Sequence, residues 1–213
     1  MHQLLFDGRW ALFLLILIAL VISLSFHEFG HAATARLFGD DTAQRAGRLT
    51  LNPLAHVDVM GLVMVVVVGF GYAKPVPVNP QNFNSRWASL AVSVAGPGMN
   101  LLLATVAINA YIAGLNLGLE SLRGEGPRFF FVYLARINLL LMVFNMVPLG
   151  ALDGHYIPPY FLSRKWGYYY TFYNDRYGNL ALMGLLMLSF AGLPVFRVIW
   201  AVGSAILPLI VFV

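Results

Sequence analysis

Residues 10–26 are apolar without a single charge, and helix-forming residues continue without a proline as far as Phe38. A stretch of this length crosses a hydrocarbon layer of about 30 Å as one helix. Gly39, followed by Asp40 and Asp41, supplies its stop. Apolar stretches of helical length recur at about 88–119 and 129–147, and two more at about 178–193 and 195–213. Residues 60–70 break this pattern. They are too few to cross and are dominated by valine, which favours an extended chain. The segment Lys74-Pro75-Val76-Pro77-Val78-Asn79-Pro80 that follows excludes a helix through its prolines. Residues 63–80 therefore predict a re-entrant β-like element that packs on protein or lines a wet cavity, since unpaired backbone is costly in lipid. The whole pattern predicts an all-α multi-pass membrane protein with a three-helix core, that re-entrant element and two C-terminal apolar helices. It reads as one domain over residues 1–213, with the core at about 10–160 and the C-terminal helices at about 178–213.

Parity then orders the chain. If residues 60–87 do not cross, the helix at 88–119 returns the chain and the helix at 129–147 runs parallel to the first. Asp153 then lies in the same leaflet as His27 and His31. Loops at that end hold Arg45, Arg48, Lys74, Arg86, Arg164, Lys165 and Arg176, against Arg9, Arg123 and Arg128 at the other. Positive charge marks the cytoplasmic side, so the N-terminus is expected outside. Trp166 and Tyr168 to Tyr170 suit an interfacial aromatic belt. With no transit-type N-terminus, the expected location is a prokaryotic cytoplasmic membrane.

Composition agrees: 60% of residues are hydrophobic, 10% are charged, and the mean hydropathy is +0.76. The net charge of +4 is spread over loops. It fits a lipid bilayer as partner and not nucleic acid, which calls for a basic stripe with stacking aromatics. No cysteine is present, so a metal must rest on His, Asp or Glu.

The candidate chemistry sits at the end of the first helix, in His27-Glu28-Phe29-Gly30-His31. Two histidines one helical turn apart share a face and can reach one zinc, with Glu28 alongside as general base. Ionisable groups at membrane depth are costly without a function. Zinc hydrolysis needs three protein ligands and a position for water. Spacing leaves the third ligand open among His56, Asp58, Asp153 and His155. Asn100 reads as interhelical glue that could also face the site, and Arg136, inside the third helix, as a side chain snorkelling outward.

The pentad, together with Asn145-Met146-Val147-Pro148-Leu149-Gly150-Ala151-Leu152-Asp153-Gly154, resembles the two motifs of the site-2 protease family of intramembrane zinc proteases. The resemblance extends to Ala95-Gly96-Pro97-Gly98-Met99-Asn100 and to residues 74–80, so it covers residues 10–160. It implies one Zn2+ held by His27, His31 and Asp153, with Glu28 catalytic. It also implies that Asn145 steadies an oxyanion or holds the substrate backbone, and that substrates are membrane-anchored proteins. Residues 63–80 would then either offer an edge to an unwound substrate or plug the cavity. The alternative is a membrane metal transporter using the same His/Asp site, for which Glu28 would have no purpose and an internal repeat would be expected. The oligomeric state is not legible in the sequence.

Overall fold

In the computed structural model, which describes residues 6–68, 71 and 73–213, α1 (Trp10–Leu37) is followed by α2 (Val59–Val68), α3 (Ala88–Asn116) and α4 (Glu125–Asn145). Of these, α1, α3 and α4 are long and apolar enough to cross a membrane. They pack on one another, and their contacts fix their directions. Going up α1, Ala19 clusters with Ala107, His27 meets Asn100 and His31 meets Val92, so α3 runs antiparallel. Ala19 also clusters with Leu134, and Ser23 meets Asn138, so α4 runs parallel to α1. Fully buried Ala19, Ala32, Ala35, Ala88, Ala104 and Ala135 let the helices approach closely where no water drives them together. The end of α4 thus lies at the His27 end of α1, as parity predicts.

The valine run departs from expectation. Residues 59–68 are helical instead of extended, because a helix pairs its own backbone in an apolar setting while valine costs only roughly half a kcal/mol per position. At about 15 Å, α2 is too short to span. The chain then doubles back: Gly71 lies against Gly61 and Val65, and the Lys74 N–H donates to the His56 carbonyl at 2.9 Å. Residues 73–79, the return limb, form neither helix nor strand, and no strand occurs among the described residues. Among the described residues, the β-like element is therefore a helix followed by a non-helical limb that joins no strand ladder, and its prolines withhold the donors a ladder requires. Positions 69, 70 and 72 of this element, like residues 1–5, lie outside the described residues.

Beyond Asp153, α5 (Arg164–Tyr173) continues through a π turn (Asn174–Gly178) into α6 (Asn179–Phe190), and α7 (Val195–Ile206) follows. The two C-terminal apolar segments are thus helices of 12 residues each, α6 and α7, of which α6 is continuous with α5. α7 packs on α4, and Ile210 joins Ala104, Ile108, Ala135 and Leu139 in the core. Asn109 pins this end to α3, donating to the Ile210 carbonyl at 2.6 Å and accepting the Phe212 N–H at 2.8 Å. Arg136 is exposed on α4, and α5 exposes Trp166 and Tyr168.

Candidate metal centre

The pentad lies near the C-terminal end of α1, where His27, Glu28 and His31 retain only 6%, 8% and 9% exposure. Groups this polar are not held in such a place unless something compensates for lost water. The His27 Nδ1 lies 2.7 Å from Asn100 Oδ1 on α3, and the His31 Nδ1 lies 2.7 Å from the Val92 carbonyl. A carbonyl can only accept, so the proton of His31 is on Nδ1. Asn100 is oriented by the same logic: its Nδ2 faces the Ser23 carbonyl at 3.2 Å and Asn138 Oδ1 at 2.7 Å, which leaves Oδ1 to accept from His27. Both rings therefore turn an Nε2 lone pair inward, and the two Nε2 atoms lie 3.1 Å apart.

Asp153 closes the triangle. It opens a 3-10 turn (Asp153–Tyr156) after α4, with Oδ2 at 3.1 Å from His27 Nε2 and Oδ1 at 3.3 Å from His31 Nε2. Among the described residues, this is the set of three potential metal donors that converges. Two lone pairs and a carboxylate this close together repel unless a cation sits among them, and Asp153 Oδ2 is buried with no hydrogen-bond partner. Separations slightly above 3 Å are those of donors sharing one ion at about 2 Å, and two imidazoles with a carboxylate are a donor set that zinc accepts. Gly96 of α3 completes the cradle, since a Cβ there would overlap both imidazoles. The residues present fit a zinc ion. Burial pushes the Asp153 carboxyl upward. The facing His27 and His31 rings outweigh this and hold the carboxyl below the ordinary aspartate value.

Glu28 points to the same space without joining the triangle: its Oε2 accepts the Val76 N–H of the return limb at 3.0 Å. That limb is held at both ends by the loop after α1. Arg48 donates to the Lys74 carbonyl, and the buried Asp40 accepts the Asn79 N–H at 2.7 Å. A cavity of about 510 Å³ lies against His27, Glu28, His31 and Asp153, and Val76, Ser93, Asn145 and Tyr156 contribute to its lining. Asn145 is thus beside the site, with one amide proton donated to the Leu141 carbonyl at 3.0 Å.

The other three candidates for a third ligand lie elsewhere. His56 is buried with Nε2 on the Thr50 carbonyl, Asp58 caps α2 through the Gly61 N–H at 2.8 Å, and His155 Nδ1 bonds the Leu152 carbonyl. Sequence reasoning missed Ser23 and Asn138, which stand behind Asn100: Asn138 Nδ2 donates to Ser23 Oγ at 2.8 Å. A signal existed for Ser23, a polar residue one turn before His27 on the same face. Asn138 carried only its polarity within a spanning helix.

Residues 15–118 match peptidase family M50, a range that includes the pentad, Gly96 and Asn100 and ends before Asn145 and Asp153. Over 145 residues the chain is 43% identical to YwhC of Bacillus subtilis, named as a candidate zinc metalloprotease. That alignment covers 67% of this chain and 66% of YwhC. Rip2 of Mycolicibacterium smegmatis, named likewise, is 33% identical over 153 residues, covering 67% of this chain and 55% of Rip2. The Rip2 of Mycobacterium tuberculosis is 33% identical over 149 residues, again covering 55% of it. The chain thus spans about two thirds of one such relative and about half of the others. No solved structure matches it.

Proposed function

Because the chain belongs to peptidase family M50, we propose that it is an intramembrane zinc endopeptidase that cleaves membrane-anchored protein substrates. One observation carries this reading: His27, His31 and Asp153 converge beside Glu28 and a cavity, on a helix apolar enough to cross a membrane. His27 and His31, each presenting Nε2, and Asp153 would hold the ion. Bound there, zinc would supply the Lewis acidity that polarises a scissile carbonyl and acidifies a water.

Glu28 takes the proton of the attacking water and returns it to the leaving amine as the peptide bond breaks. The Val76 N–H keeps one of its oxygens turned toward the cavity. Asn145 supplies an uncharged donor to the developing oxyanion or to the substrate backbone, supported by its place on the cavity wall. The α2 hairpin and return limb act as a re-entrant element, supported by the short length of α2 and the reversal at Gly71. Its limb lines the cleft and shapes it for an extended peptide. The centre lies toward the cytoplasmic face, supported by the excess of Lys and Arg in the loops at that end. The chain acts as a single membrane protease unit, supported by the packing of its C-terminal segment into the helical core.

Wild-type, Glu28→Gln and Asp153→Ala proteins in lipid vesicles with a single-pass substrate test the reading. Glu28→Gln is expected to keep zinc and lose cleavage by about 10²- to 10⁴-fold, and Asp153→Ala to lose both. Full cleavage by Glu28→Gln, or undiminished zinc in Asp153→Ala, overturns it.

A further inference from the structure

Apart from the two imidazoles, no side chain among the described residues holds the Asp153 carboxylate. Its place is therefore set by the backbone of the loop after α4, which packs on α3 at the Asp153–Tyr156 turn and is gripped from outside the three-helix core as well. The grip comes from the helical arm formed by α5, the π turn and α6.

Three residues of the arm, each four apart, meet the loop. The Tyr170 hydroxyl donates to the Pro148 carbonyl at 2.9 Å. The buried Asn174 takes both polar groups of one peptide residue: its Oδ1 accepts the Gly150 N–H at 2.8 Å, and its Nδ2 donates to the Gly150 carbonyl at 3.1 Å. Gly178 lies flat against Gly150, and a Cβ on it would overlap Asn174 Oδ1 and Gly150 Cα. An α-helix repeats every 3.6 residues, so a stripe at every fourth residue drifts off its face. The π turn between Asn174 and Gly178 winds wider and cancels that drift, which gives the irregularity a purpose. On the loop side, Gly150 has φ +62°, a left-handed conformation, and the Leu152 N–H returns to the Leu149 carbonyl. Asp153 follows this turn by one residue.

We propose that Asn174 is a positioning residue for the metal centre: by clamping Gly150 at both polar groups it holds Asp153 within reach of His27 and His31. The proposal rests on the zinc reading above and deepens it, making the arm a determinant of metal affinity.

Asn109→Ala is the control, because it breaks a similar two-point asparagine clamp, on Ile210 and Phe212, without touching the loop. In the full-length protein, Asn174→Ala is expected to bind zinc 10- to 100-fold more weakly in chelator competition. It is also expected to change the visible spectrum of the cobalt-loaded protein, as one ligand is lost. Asn109→Ala is expected to lose thermal stability while keeping wild-type zinc affinity and cobalt spectrum. If Asn174→Ala does not fold, Asn174→Asp keeps the acceptor for the Gly150 N–H and is expected to weaken zinc in the same direction. Wild-type affinity and spectrum in a folded Asn174 variant overturn the proposal alone. Failure of the wild-type protein to bind zinc, or undiminished zinc in His27→Ala, overturns the underlying reading with it.

Discussion

The imidazole of His27 donates from Nδ1 to Asn100 Oδ1 across 2.7 Å, and the far side of that amide is held by the Ser23 carbonyl and Asn138. A metal-facing ring on α1 is thereby oriented by α3 and α4 together. Replacing Asn100 by Leu frees the ring to turn and leaves the Ser23 carbonyl and Asn138 Oδ1 without that donor. Zinc affinity is expected to fall 10- to 100-fold, with a loss of about 1–3 kcal/mol for each buried group left unpaired. Chelator competition and thermal unfolding in detergent measure the two effects separately, and an unchanged zinc constant would remove Asn100 from the site.

Gly96→Ala separates helix stability from metal binding. Alanine favours a helix over glycine by about 0.8–1.0 kcal/mol, yet here its methyl enters the space of both imidazoles. Helicity by circular dichroism is expected to persist while zinc is lost. A variant that keeps stoichiometric zinc would show that the rings have room the structure denies them.

Asn145 is expected to act after binding. Asn145→Ala should retain zinc and lower kcat by about 10²- to 10³-fold with KM little changed, as for a lost oxyanion donor. An unaltered kcat would reduce it to a helix-capping amide bonded to Leu141.

Asp40 gives a pH test outside the spanning helices. Burial raises its carboxyl, but donors from Thr42, Asn79 and Asn82 outweigh burial and hold it below the ordinary aspartate value. A carboxyl lowered in the folded state stabilises above the unfolded pKa of about 3.9, and loses that contribution as pH falls through its folded value. Asp40→Asn sets an amide donor against donors, so it should be less stable than wild type at pH 7, by roughly 1.5–3 kcal/mol. The gap should narrow as pH falls below the unfolded value of about 3.9 and close as it passes the folded one. A gap independent of pH in thermal unfolding would contradict the assignment.

Much of this centre was legible because its signals are short-range or topological. The His27–His31 spacing lies within one helical turn, and the placement of Asp153 followed from counting crossings once residues 60–87 were read as non-spanning. The valine run misled because β propensity expresses pairing with a neighbouring strand, and α2 has none. Asn138 and Asn174 were invisible for another reason: each meets its partner across more than twenty residues of chain, Asn138 at Ser23 and Asn174 at Gly150. Neither belongs to a local motif that spacing could expose.

The amides behind the rings lie in the packed crossing of three helices, fully enclosed, so bundle assembly and not the ion sets the imidazoles in place. On the zinc reading, metallation is therefore expected to follow helix packing, unlike in small zinc modules that are unfolded until loaded. On the same reading, chelator-stripped protein is expected to keep its helical circular dichroism and to take zinc up again without refolding from the denatured chain.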